Sequence, residues 1–263
     1  ARDWYTRWYV PNNATLVVVG DVDHQAVFRE AARTYGAVKA RALPARKPLV
    51  EPAQRGPRST LVKAPAELPY VAMAWRVPTL RDVKADGDFY ALQVLAAVLD
   101  GYDGARLAKN IVRGSRVAVT AGAGYDGTAR GESLFVLDGA PAAGKTVADV
   151  EAALRAELAR IQTDGVSDDE LRRVKAQAVS GQVYKRDSLM GQAMEIGMVE
   201  MVGLSWKNDA EMLARIRAVT PAEVQAVARK YFSDDHLTVA QLDPLPVDPQ
   251  ARAKAQAAGG HHH

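Results

Sequence analysis

The apolar positions of the chain fall into two kinds of pattern. Short apolar runs bounded by turn residues predict buried strands, and apolar residues three and four apart predict helices. Thr15-Leu16-Val17-Val18-Val19 is a run of the first kind, set between the turn clusters Pro11-Asn12-Asn13 and Gly20-Asp21. Asp23 then stands as the N-cap of a helix ending near Tyr35-Gly36, with Val22 and Val27 placed for a hydrophobic staple. Ser59 to Lys63 and Tyr70 to Val77 read as strands, and Phe89 to Leu99 as a helix with Leu92, Leu95, Ala96 and Leu99 on one face. A short helix covers Arg106 to Val112, and strands follow at Arg116 to Ala123 and Ser133 to Asp138. Val147, Val150, Leu154, Leu158 and Ile161 mark the stripe of a long helix. Ser167-x-x-Glu170 and Thr220-Pro221-x-Glu223 are capping boxes opening two more, the second with Pro at its preferred first position. Leu237 to Leu242 is the last strand.

Breaks in this pattern mark the domains. Residues 39–58 carry Pro44, Pro48, Pro52 and Pro57 and six Arg or Lys, the composition of an extended, exposed connector. It separates residues 1–38 from a second unit over residues 59–247. Residues 248–263 are a tail ending in His261-His262-His263 after Gly259-Gly260, which reads as a purification-tag remnant and is set aside. The aromatic-rich start, Trp4-Tyr5-Thr6-Arg7-Trp8-Tyr9, reads as the last turns of a helix that begins upstream of Ala1. Displaced by 223 positions, Arg7-Trp8-Tyr9 matches Lys230-Tyr231-Phe232, and Thr15 matches Thr238. Two readings stand: a chance likeness of two helix–turn–strand units, or the end of one domain followed by the whole of a duplicate.

Composition narrows the chemistry. The 263 residues contain no Cys, which excludes disulfides, thiolate metal sites and a thiol nucleophile. The 34 basic and 31 acidic residues are interspersed and give a net charge of only +3, so there is no nucleic-acid footprint. No apolar stretch approaches the 18 residues of a membrane span. With the tag set aside, His24 and His236 are the only histidines, in neither an H-x-x-E-H nor an H-E-x-x-H arrangement. Zinc hydrolases use two or three nitrogen ligands, so this chain is not expected to build such a site by itself.

Four motifs invite a functional reading. Gly139-Ala140-Pro141-Ala142-Ala143-Gly144-Lys145-Thr146 fits the G-x-x-x-x-G-K-[ST] phosphate-binding loop, between a strand and a helix. The alternating strands and helices of a nucleotide-binding fold do not follow it, and Thr146 has a plain job as a helix cap with Asp149. Nucleotide binding is therefore the remote alternative to a strand-to-helix loop. Met190, Met194, Met198 and Met201 recur at helical spacing, as a core or interface stripe or a flexible binding face. Asp82, Asp86 and Asp88, or Asp100 and Asp103, lack the full calcium-loop pattern and are expected in turns and caps. Ser115, Ser133 and Ser188 have no neighbouring His in the sequence for a triad.

The run Trp8 to Asp23, with Tyr35-Gly36, resembles the junction between the two domains of pitrilysin/insulinase-family zinc peptidases, which include mitochondrial processing peptidase. Ala105-Arg106-Leu107 before Val112-Arg113, the helices around Ser167 to Val183, and Val219 to Ala228 before Tyr231 are similar to that family's second domain. The resemblance implies an α+β fold, an antiparallel-type mixed sheet with helices packed on one face. It makes residues 1–38 the helix–strand–helix end of a preceding zinc-bearing domain and residues 59–247 a second, non-catalytic domain. The implied parent is a zinc metalloendopeptidase in which this domain forms the chamber wall opposite the zinc and helps hold peptide. The implied partners are the zinc-bearing domain and a second homologous subunit. Zinc belongs to the parent, with no cofactor in this part, and the periplasm is the implied compartment. Arg113 and Tyr125 are the implied peptide-contacting residues, with Val119 standing where relatives often carry Tyr. A non-catalytic binding or assembly subunit of the same family is the alternative.

Overall fold

The structure, a computed structural model, describes residues 1–47, 51–185 and 187–247. Pro48 and the tail carrying the histidines lie outside the described residues. Five strands form one mixed sheet: β1 (Arg58–Pro65), β2 (Tyr70–Val77), β3 (Ala118–Tyr125), β4 (Ser133–Pro141) and β5 (Leu237–Leu245). Their order across the sheet is β1-β5-β2-β4-β3. The pair β1–β5 is parallel and the other three pairs are antiparallel.

Side chains alternate across a pleated strand, and here the alternation decides where the helices go. Val71, Met73, Trp75 and Val77 of β2 are buried, as are Phe135 and Leu137 of β4 and Leu237 and Val239 of β5. Register brings them into rows on one face: Met73 pairs with Leu137 and Val239, and Trp75 with Phe135 and Leu237. Three helices cover that face: α3 (Gly87–Asp100), α4 (Val147–Asp164) and α8 (Pro221–Tyr231). Leu92, Leu95 and Leu99 of α3 and Leu154 and Ile161 of α4 are fully buried. Each such side chain stabilises the fold by about 1.5–3 kcal/mol. Helices α5 (Asp168–Lys185), α6 (Leu189–Met201) and α7 (Asp209–Ala218) complete the helical layer.

The caps read from sequence are formed. Thr146 and Asp149, and Thr220 and Glu223, make reciprocal capping boxes at the starts of α4 and α8. Ser167 and Glu170 bond in the same way at the start of α5. Elsewhere the structure departs from the sequence reading. The helix expected over Arg106 to Val112 is a π-helix, Leu107–Gly114, closed by a bond from Ser115 N–H to the Asn110 carbonyl five residues back. Arg116 follows at φ 53°, and β3 begins only at Ala118. Strand β4 continues past Asp138 through Pro141.

Residues 1–47 bring a larger departure. Helix α1 (Arg2–Trp8) leads into a 3₁₀ turn (Pro11–Asn13), and α2 (His24–Thr34) starts on an Asp23 cap as expected. Between them, Thr15–Val19 is not a strand: among the described residues no strand pairs with it. The apolar run is strand-like, but a strand exists only where a neighbour completes its hydrogen bonds. Helix α2 has no buried residue and leaves Phe28 exposed. Most of the connector's described residues are exposed, and its first part folds back. Arg41 N–H donates to Asn12 Oδ1 (3.1 Å), Asn12 Nδ2 donates to the Arg41 carbonyl (3.0 Å), and Arg46 stands 5.8 Å over the Trp8 ring.

Candidate functional site

The face of the sheet opposite the helices is the candidate site. Register places Ala240, Ala72, Asp138 and Gly122 in one row across β5, β2, β4 and β3, and Thr238, Ala74, Val136 and Gly124 in the next. Tyr70 and Leu242 pair at one end, and Arg76 with Leu134 at the other. The floor is thus built mainly of small residues, because bulky ones are spent on the helix side. Arg76 at the rim is tied to Glu51 (2.5 Å) and Glu132 (3.2 Å).

One acidic group interrupts the floor. Burial, together with the neighbouring Asp138 carboxylate, pushes the Tyr70 phenol up to about 12. Asp100, at the end of α3, reaches the outer edge of β3 and accepts from Ala123 N–H at 3.2 Å. Burial raises the Asp100 carboxyl and the Asp138 charge adds to this, against the lowering effect of the Ala123 bond. A side chain at position 122 would intrude on both: a Cβ there would stand 3.1 Å from Asp138 Oδ1 and 3.5 Å from Asp100 Oδ2.

The structure does not bring the two resemblance-derived residues together. Arg113 is exposed in the last turn of the π-helix, ahead of β3, and donates to the Asp103 carbonyl. Tyr125 ends β3, which at about 3.3 Å per residue is more than 20 Å long. Its ring lies on the helix side, stacked on Phe135 at 6.1 Å and near Phe89 at 6.0 Å. Its hydroxyl donates to the Pro78 carbonyl at 2.5 Å, and burial holds the phenol well above its ordinary range. Val119 is exposed at the start of β3. Sequence reading passed over Tyr70, Asp138 as a floor residue, and the small-residue rows. The signal was present, since Ala72 and Ala74 alternate with Val71, Met73 and Trp75.

The phosphate-loop reading is overturned by geometry. Gly139 to Pro141 are spent in β4, leaving no strand-to-loop break at the first glycine. Ala142 N–H donates to the Val117 carbonyl and Lys145 N–H to Ala142. The Asp149 carboxylate already accepts from Thr146 N–H at 2.8 Å, where a phosphate would need free donors. The aspartates named from sequence serve turns and ion pairs. Asp82 accepts from Lys84 and Ala85 N–H, Asp86 from Arg81 and Asp82 N–H, and Asp88 pairs with Lys230 (2.6 Å).

Zinc does not fit these residues. His24 sits exposed on α2 beside Gln25, and His236 faces the Ser233 hydroxyl (3.2 Å) within one 3₁₀ turn. Among the described residues no group of three or more His, Cys, Asp or Glu could hold a metal ion. No helix among them is long and apolar enough to cross a membrane.

With fold and floor in place, comparison with known proteins decides the family. The profile of the peptidase M16 inactive domain matches residues 1–178. The chain belongs to that family. An uncharacterized zinc protease of Streptomyces coelicolor is 28% identical over 233 residues, covering 87% of this chain and 50% of that protein. The chain therefore spans about half the length of this curated relative. A Helicobacter pylori protease superposes with a TM-score of 0.84 at 22% identity, covering 92% of this chain and 58% of that one. The periplasmic protease PqqL of Escherichia coli does so at 0.76 and 18% identity, over 99% of this chain and 30% of its own. At these identities the solved structures speak to the fold alone, which they share with this M16 inactive domain.

Proposed function

We propose that the chain is the non-catalytic part of a zinc metalloendopeptidase, forming the chamber wall that faces a zinc-bearing domain and helping to hold peptide there. One observation carries the reading. Trp8 to Tyr231, Pro11 to Asp234 and Asn13 to His236 are each 223 positions, and these are the helix end and the 3₁₀ turn of two matching units. In the second unit the turn leads into β5, an internal strand flanked by β1 and β2. In the first it leads into Thr15–Val19, which has the sequence of such a strand and no sheet. Residues 1–38 are then the end of a preceding domain built like residues 59–247, with 39–58 joining the two.

The uncovered sheet floor supports the wall role, since helices pack on only one side and small residues leave room for an extended chain. Arg113 keeps most of its guanidinium donors free for a peptide carbonyl or carboxylate. Tyr125 acts by fixing the Pro78 turn. Zinc, activated water and the catalytic base belong to the preceding domain, and this part is inactive alone. The periplasm suits the reading, as for PqqL. In the full-length protein, Arg113→Ala should raise KM for a quenched peptide several-fold with a smaller change in kcat. Unchanged kinetics would remove Arg113 from the site. Exposed Val119, where relatives often carry Tyr, favours the second reading, a binding or assembly subunit. A full-length protein that binds peptide without cleaving it would establish that one.

A further inference from the structure

Helix α6 is largely apolar, with Gln192, Glu195 and Glu200 as its polar side chains, yet none of its residues is fully buried. Val199 and Val202 rest against the core cluster. On the adjoining face Met190, Met194, Met198 and Met201 are 72%, 56%, 49% and 58% exposed. A helix with this large an apolar share normally buries such a face, so the methionine face lacks its cover. Methionine is the apolar side chain best able to fit an irregular partner.

The structure also says what lies beside it. Positions 190, 194, 197 and 201 fall on one line of the helix, and Gly197 occupies the middle of that line. Val17 lies over Gly197: a Cβ there would stand 3.7 Å from Val17 Cγ2, in ordinary contact. Thr15 to Val18 continue along the flank of α6, forming a groove of about 730 Å³ with Ile196, Glu200 and Trp206. The unpaired run thus meets the helix at the centre of the methionine stripe. Leu16, Val18, Val22 and Phe28 extend the same apolar surface and are exposed.

We infer that the methionine face of α6 is the seat of the preceding domain, whose sheet takes up Thr15–Val19 and lies across Met190, Met194, Met198 and Met201. This rests on the reading that such a domain exists. The counterpart β5 has a strand on each side, so Thr15–Val19 requires two neighbours about 4.8 Å away on either edge. A sheet built outward from a strand touching Gly197 has to pass over the methionines flanking it. A second copy of this chain offers the open edges of β1 and β3, each a neighbour for one side of the run only, and not a flanking pair.

Hydrogen exchange of the 263-residue chain and of the full-length protein, read over residues 14–19 and 189–201, tests this without any substitution. Both segments should exchange at least tenfold more slowly in the full-length protein. Met194→Glu with Met198→Glu should return α6 to the rate of the shorter chain and lower the Tm of the full-length protein only. Equal exchange in the two proteins overturns the inference. So does a full-length protein indifferent to the double substitution, or a 263-residue chain whose dimer the substitution dissolves while the full-length protein shows no protection. Zinc content of the full-length protein is read separately. Protection without zinc sinks the peptidase reading and leaves this interface standing, whereas zinc without protection does the reverse.

Discussion

Replacing Glu170 by Gln should expose the one strong ion pair that ties the π-helix to the α4–α5 turn. Arg106 holds Glu170 through two bonds of 2.8 Å, Nε to Oε1 and Nη2 to Oε2, and Nη2 also donates to the Gly165 carbonyl at 3.0 Å. Gly165 ends α4 at φ 75°, so the guanidinium caps that helix while pairing with the next. The Arg106 bonds hold the Glu170 carboxyl down to about 2, against an ordinary value near 4.5. At about 1.4 kcal/mol per pH unit this sets a ceiling of about 3 kcal/mol. Both side chains keep some solvent contact, 15% for Arg106 and 23% for Glu170, and screening reduces the expected loss to about 1–2 kcal/mol. Glutamine is chosen because its one carbonyl oxygen can keep the Ser167 bonds of the capping box; it removes the charge and turns the oxygen that accepts from Arg106 Nε into an amide donor. A group whose folded pKa is depressed stabilises fully above its unfolded value and loses that contribution as pH falls toward its folded value. Urea unfolding followed by circular dichroism should therefore show the full gap between wild type and Glu170→Gln at pH 7. Less than roughly half of it should remain at pH 3. No gap at pH 7, or a gap as large at pH 3, would refute the reasoning.

Two further predictions bear on motifs. Gly139→Ala places a Cβ 2.8 Å from the Thr120 carbonyl and 2.9 Å from Val150, and should cost about 1–3 kcal/mol in urea unfolding; Lys145→Ala should alter neither stability nor any thermal shift with Mg²⁺-ATP, and a nucleotide-induced shift abolished by it would restore the phosphate loop. Asp138→Asn removes the charge that helps raise the Tyr70 phenol, so that phenol should titrate below about 12 yet stay above an ordinary tyrosine, since burial remains; ultraviolet titration against a Tyr70→Phe control reads it, and an unmoved phenol would mean the carboxylate has no hold on it.

Much of residues 59–247 was legible because the signals there are local. The alternation of Tyr70–Val77 fixed a strand with one buried face, and Thr146 with Asp149 fixed a helix start, each from neighbouring residues alone. The π-helix was not legible, because a carbonyl five rather than four residues back leaves no mark in residue type. Thr15–Val19 misled for a physical reason: its composition records a sheet that no strand among the described residues supplies. The site was half legible. Arg113 and Tyr125 came from resemblance, while the floor of Ala72, Ala74, Gly122 and Ala240 appears only once the register sets four strands side by side.

On the proposed function, this M16 inactive domain works with a zinc-bearing domain rather than by itself. The direct measurement is metal content and turnover of a quenched peptide, made on the 263-residue chain freed of its terminal histidines and on the full-length protein. No bound zinc and no cleavage are expected for the first, and one zinc per molecule with cleavage for the second. One tightly bound zinc with turnover in the shorter chain, or neither in the full-length protein, would contradict it.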